Sequence, residues 1–171
     1  MLPFYADSKT VGVYADLPNE LPTSALISRL LEDGKHVYLP RCEPGASRSM
    51  RFVRCFSSGT NDISTWPRGK YGIREPTGPE TTEGIDLLVL PGVAFDPRTF
   101  ARLGQGAGYY DRWIQAKRGR DGPGVGRCVG VCMDCQVVKG VPFEEHDVVM
   151  DGLVWPGGGV KIREGWDAEK T

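Results

Sequence analysis

Ile85-Asp86-Leu87-Leu88-Val89-Leu90-Pro91-Gly92-Val93-Ala94-Phe95-Asp96 is the stretch that decides the fold. Its apolar core, residues 87–90, shows no polar alternation, so it reads as a strand buried on both faces, and Pro91-Gly92 ends it. A strand covered on both sides calls for layers on both sides, as in α/β proteins with a parallel sheet. In open sheets of that kind, ligands sit beyond the carboxyl ends of the strands.

A loop with Asp96 and Arg98 leads from that strand to Arg102-Leu103-Gly104-Gln105-Gly106-Ala107-Gly108-Tyr109-Tyr110-Asp111-Arg112. The alternating glycines let the backbone turn tightly and approach a ligand closely. Backbone N–H groups pointing inward from such a loop suit anionic oxygens. Tyr109, Tyr110, Trp113 and Ile114 recur at helical spacing, so the run passes into a helix whose N-terminus favours phosphate. Asp111 is a hard oxygen ligand of the kind Mg²⁺ takes, and Arg102 and Arg112 carry charge to neutralise phosphate. No Gly-Lys-Ser/Thr follows, which excludes a Walker A loop, and the third glycine falls one residue early for a dinucleotide fingerprint. From the residues alone, a glycine-rich turn before an amphipathic helix stays open.

Toward the N-terminus, residues 9–15 read as a first strand, with Val11, Val13 and Tyr14, and residues 16–22 as a loop. Thr23 is the expected N-cap of a helix whose face is Leu26, Ile27, Leu30 and Leu31 and which Gly34 stops. A second strand, 36–39, ends at Pro40, and Met50-Arg51-Phe52-Val53-Arg54-Cys55 alternates as a third. Residues 57–84 read mostly as loop, with Trp66 and Tyr71 as isolated aromatics. Beyond the helix from about Tyr109, strands are expected around 127–133 and within 148–154, and residues 155–171 as a poorly ordered Gly-rich and charged tail. The alternation of strand and helix predicts a three-layer α/β/α sandwich with a largely parallel central sheet, in one domain over residues 1–154 with the first strand central.

The chain has 171 residues, 40% of them hydrophobic and 25% charged, with a net charge of −1. That balance gives no reason to expect nucleic-acid or membrane partners. No apolar run approaches membrane-spanning length and the N-terminus is not a signal or transit peptide, so a cytoplasmic protein is expected. Five cysteines at scattered positions argue against a secreted disulfide framework. Cys132-Met133-Asp134-Cys135 invites a zinc or redox reading, but there is no second CxxC and His36 and His146 are the only histidines. Structural thiols are the expectation.

Taken together these residues resemble the 5-formyltetrahydrofolate cyclo-ligase family, also called methenyltetrahydrofolate synthetases. The resemblance runs through Gly34-Lys35-His36-Val37-Tyr38-Leu39-Pro40, Met50-Arg51-Phe52, Gly72-Ile73-Arg74-Glu75-Pro76, the strand and loop 88–96 and the string 102–111. Val141-Pro142-Phe143-Glu144-Glu145-His146-Asp147, with Asp151 following, looks like the family's closing motif, and the order holds from about residue 11 to 154. The resemblance implies ATP- and Mg²⁺-dependent cyclisation of 5-formyltetrahydrofolate to 5,10-methenyltetrahydrofolate by a monomer, with ADP and phosphate released.

It also implies roles. Residues 102–110 would wrap the ATP phosphates, and Asp111 and Asp147 would hold Mg²⁺, with Arg102, Tyr109 and Asp111 as the catalytic group. Glu20 would bind the pterin and Tyr109 would line the folate side, with Met50, Phe52, Trp66 and Tyr71 as walls. Alone, Glu20 reads as a surface residue before a helix, Trp66 and Tyr71 as packing, and His146 as shaping its loop. The family's long N-terminal helix, which brings a lysine and an arginine to ATP, is expected to be absent here. A second reading therefore stays open: an impaired or truncated member that binds folate or nucleotide without turnover.

Overall fold

The computed structural model describes residues 3–43, 49–56, 63–69, 72, 74–81, 83–118 and 124–165. In chain order these form α1 (Pro3–Asp7), β1 (Thr10–Val13), α2 (Ser24–Glu32), β2 (His36–Cys42), β3 (Met50–Cys55), β4 (Ile85–Leu90), β5 (Ala94–Asp96), β6 (Ala101–Leu103), α3 (Tyr109–Arg118), β7 (Val125–Val131), β8 (Gly152–Trp155) and β9 (Gly159–Ile162). Seven strands make one sheet in the order β3-β2-β1-β4-β7-β8-β9, while β5 and β6 form a separate antiparallel hairpin. The five inner strands are parallel and the two edges, β3 and β9, antiparallel. The decisive stretch is β4, the central strand, with three strands on each side; β1, expected at the centre, lies next to it between β2 and β4.

Strand alternation divides the core in two. Leu87 and Val89 of β4 join Val11, Val13, Ile27, Leu30 and Phe4 on the α1 and α2 side. Leu88 and Leu90 join Phe52, Trp113 and Ile114 on the α3 side. Leu88 and Leu90 are 0% exposed, and each such leucine contributes roughly 1.5–3 kcal/mol relative to exposure. Covering both faces produces the three layers. Among the described residues no helix is long and apolar enough to cross a membrane.

Local details refine the sequence reading. Thr23 sits at the N-cap of α2, but its hydroxyl donates to Tyr14 O and Asp16 Oδ1 and does not cap the helix. Gly34, at φ +73°, ends α2, with Gly34 N–H on Leu31 O and Lys35 N–H on Leu30 O. Lys35 Nζ donates to Tyr5 O and Ser8 O at 2.7 and 2.6 Å and so fastens α1 onto the end of α2. Pro40 does not end β2, contrary to expectation. The β1 register stops at Tyr38, so no neighbour there requires the N–H that proline lacks, and Pro40 pairs with Phe52 on the β3 side.

The tail expectation is also corrected. Residues 159–162 form β9, paired to β8 through a turn that Gly159 enters at φ +69°. Asp151 holds this hairpin: Arg163 Nη2 reaches its Oδ1 at 3.0 Å and Cys128 N–H its Oδ2 at 2.8 Å. Residues 166–171 lie outside the described residues.

Candidate active site

The carboxyl ends of the parallel strands carry the loops that contain most of the expected functional residues. After β4, the β5–β6 hairpin delivers the chain to the glycine run. Its turn has Phe100 at φ +59°, a strained conformation for a bulky residue, fixed by Phe100 N–H on Asp96 O and Met150 N–H on Phe100 O. Asp96, 0% exposed, holds the hairpin. Its carboxylate accepts the Arg98 backbone N–H at 2.9 Å, the Arg98 guanidinium at 3.1 and 3.3 Å, and the Gly140 N–H at 2.8 Å.

The hydrogen bonds from Arg98, chiefly its side chain, lower the Asp96 pKa to about 2. Since the folded value is depressed, this carboxylate stabilises the fold above its unfolded value of about 3.9, and the contribution fades as pH falls toward 2. Asp96→Asn is therefore expected to lower the urea midpoint at neutral pH, and the gap to wild type should shrink between pH 4 and pH 2. A gap that stays constant over that window would contradict the role.

Within the glycine run, Gly106 and Gly108 take φ +83° and +65°, which other residues adopt only with strain. Gly108 O accepts the Arg112 N–H, so the loop leads straight into the first turn of α3. Arg102 lies beneath the loop with its side chain 4% exposed, and a Cβ on Gly104 would stand 3.2 Å from Arg102 Nη1. Arg102 Nη2 donates to Asp111 Oδ2 at 2.7 Å and Nη1 to Pro91 O at 3.3 Å. The Arg102 guanidinium also lies 5.8 Å from the Tyr110 ring centroid. As placed, Arg102 orients Asp111 from below.

Asp111 Oδ1 accepts the Val148 N–H at 3.1 Å. That bond brings the residue after Asp147 onto the first turn of α3. Asp147 Oδ2 accepts the Glu144 N–H at 2.8 Å, and Oδ1 faces the His146 ring at 3.9 Å. Among the described residues no three His, Cys, Asp or Glu side chains gather into a metal-binding group. Asp111 and Asp147 stand on segments joined by the Val148 bond, and both are hard oxygen donors of the kind Mg²⁺ takes.

Glu20 faces the same loop. Its Oε2 accepts the Leu17 N–H at 2.9 Å and its Oε1 the Gln105 side-chain amide at 3.2 Å. Burial raises its pKa. Burial also raises that of Tyr110, with Glu20, Cys42 and Tyr14 acting in the same direction, so this phenol stays neutral. Tyr109 is half-buried at the start of α3, Leu103 and Gln105 are exposed, and Ala107 is partly covered.

Met50 and Trp66, expected as walls of one pocket, are not brought together. Met50 is 7% exposed in the core on the α3 side and Trp66 2% exposed in the core on the α2 side. Phe52, 0% exposed, packs its ring 4.5 Å from that of Trp113. Both cores close over these side chains, which makes them packing residues as placed. Tyr71 lies outside the described residues. Cys42, Cys55, Cys128, Cys132 and Cys135 are free thiols, with Cys132 buried and Cys135 exposed. The sequence reading assigned no role to the Asp96 clamp, whose signal was a single acid closing an otherwise apolar run.

Fold and site define a three-layer α/β protein with a glycine loop backed by carboxylates at the carboxyl ends of its parallel strands. Residues 1–156 match the model of the 5-formyltetrahydrofolate cyclo-ligase family, and the chain belongs to that family of ligases. It is 34% identical to the 5-formyltetrahydrofolate cyclo-ligase of Saccharomyces cerevisiae over 168 residues, covering 91% of this chain and 79% of that one. It is 33% identical to the Escherichia coli protein of the same name over 152 residues, covering 86% and 78%. The NMR structure of Aquifex aeolicus 5,10-methenyltetrahydrofolate synthetase matches with a TM-score of 0.71 at 30% identity, covering 94% of this chain and 75% of that one.

Proposed function

We propose that this chain cyclises 5-formyltetrahydrofolate to 5,10-methenyltetrahydrofolate, converting ATP to ADP and phosphate, as a cytoplasmic monomer. The observation that carries the reading is the bond from Val148 N–H to Asp111, which draws the Asp147 segment and the glycine loop into one site. A formamide oxygen is a poor leaving group. Its attack on the γ-phosphorus forms a P–O bond and releases ADP. N10 then attacks the activated formyl carbon, its proton passes to solvent, and phosphate leaves with the former formyl oxygen.

Such chemistry asks the protein mainly to position partners and balance charge. The N–H groups of residues 103–108 and the start of α3 would hold the phosphates. Asp111 and Asp147 would hold Mg²⁺, which when bound neutralises phosphate charge. Arg102 keeps Asp111 oriented, and Glu20 would accept hydrogen bonds from the pterin. Tyr109 would face the folate at the mouth of the loop.

Phosphate release from ATP should require 5-formyltetrahydrofolate and match its consumption one for one. Phosphate release that ignores the folate would contradict the reading. Glu20→Ala is expected to raise KM for 5-formyltetrahydrofolate by about 10- to 100-fold with a smaller change in kcat, as loss of hydrogen bonds to a charged group implies. An unchanged KM would remove Glu20 from the substrate site.

A further inference from the structure

The glycine loop and the Glu20 loop meet through a direct contact across 85 positions of chain, Gln105 Nε2 to Glu20 Oε1 at 3.2 Å. Glu20 Oε2 is engaged within its own loop by the Leu17 N–H at 2.9 Å. The carboxylate is partly withdrawn from water, as its raised pKa reflects, so each donor it holds matters more than at an open surface. Gln105 is exposed and precedes Gly106, whose φ is +83°. The backbone that carries it can therefore swing at low steric cost.

Building on the proposed function, we infer that Gln105 is a positioning residue that ties the phosphate loop to the substrate-binding carboxylate, so that occupancy of one site is felt at the other. In the unliganded chain the Gln105 amide holds the loop against Glu20. A folate whose ring N–H groups donate to Glu20 competes for Oε1 and frees the loop to close on the phosphates. By linkage, nucleotide must affect folate affinity by the same factor. A ligand shifts the loop only as far as it discriminates between the two arrangements, and one exposed hydrogen bond to a carboxylate sets that factor at about 3- to 10-fold.

The test titrates a non-hydrolysable ATP analogue with Mg²⁺, with and without saturating 5-formyltetrahydrofolate. In wild type the folate should tighten the analogue about 3- to 10-fold. In Gln105→Ala the factor should fall to about 1, and Gln105→Glu, which sets a second carboxylate against Glu20, should behave alike. The ratio is the readout, because a contact from Gln105 to the nucleotide would scale both affinities together. An equal factor in wild type and Gln105→Ala overturns the tie, as do ligands that bind wild type independently. Wild type that binds neither ligand overturns the proposed function instead. Hydrogen exchange of the unliganded chain then decides the tie alone: Gln105→Ala should speed exchange in peptides covering 103–108 and 17–20, and unchanged exchange in both overturns it.

Discussion

Asp111→Asn is expected to lower ATP-dependent turnover of 5-formyltetrahydrofolate by about 100-fold or more while the chain stays folded. The substitution keeps the shape and removes the charge. Two consequences follow, because Asp111 Oδ1 accepts the Val148 N–H on the ligand side and its Oδ2 the Arg102 guanidinium on the core side. Toward the ligand side it would lose a carboxylate oxygen suited to Mg²⁺. Toward the core it would leave Arg102, its side chain 4% exposed, facing an amide where it had a carboxylate at 2.7 Å. Removing one member of a buried pair costs about 3–5 kcal/mol, but the Asn oxygen can still accept one hydrogen bond, so about 2 kcal/mol is expected.

Asp147→Asn separates the two effects. Its side chain is 28% exposed and bonds within its own loop. A comparable loss of turnover is expected there, with a stability change of about 1 kcal/mol or less. Steady-state rates and urea midpoints for both variants check the pair. A folded Asp111→Asn chain with wild-type turnover would end its metal role.

Gly12→Val is expected to destabilise the fold by about 3 kcal/mol or more. β1 is hydrogen-bonded on both sides, to β2 and β4, so its backbone cannot move away. A Cβ at Gly12 would stand 2.7 Å from Leu88 Cδ1, 3.1 Å from Phe52 Cε1 and 3.3 Å from Ile85 Cδ1. Valine's β propensity returns less than about 1 kcal/mol, so overpacking wins. Urea denaturation should show a lower midpoint, with Gly12→Ala intermediate. An unchanged midpoint for Gly12→Val would mean that the packing around β1 is wrongly described.

The parallel sheet was readable because burial on both faces leaves a strong mark: residues 87–90 show unbroken apolarity, and β4 spans them. The start of α3 was readable from the helical spacing of its aromatics. The β5–β6 hairpin was not, because its strands are three residues each and its left-handed turn residue is Phe100, not glycine or asparagine. β9 was missed because Gly157-Gly158-Gly159 resembles a frayed tail until the partner strand supplies hydrogen bonds. Asp111 could be named as an Mg²⁺-type ligand from the glycine run itself, but Glu20 and Asp147 only through family resemblance, because their association is tertiary. The bond from Val148 to Asp111 spans 37 positions, and no local pattern encodes it. Met50 and Trp66 read equally as ligand walls or as packing, because aromatic and sulfur side chains look alike in both, and the structure places them in separate cores.

The most direct test of the account is the near-ultraviolet absorbance of 5,10-methenyltetrahydrofolate formed from 5-formyltetrahydrofolate by this chain, with and without Mg-ATP. Product should require Mg-ATP and nearly disappear in Asp111→Asn and Asp147→Asn. A folded wild-type chain that binds both ligands and forms no product would contradict it, and would mark the chain as a binding protein without turnover.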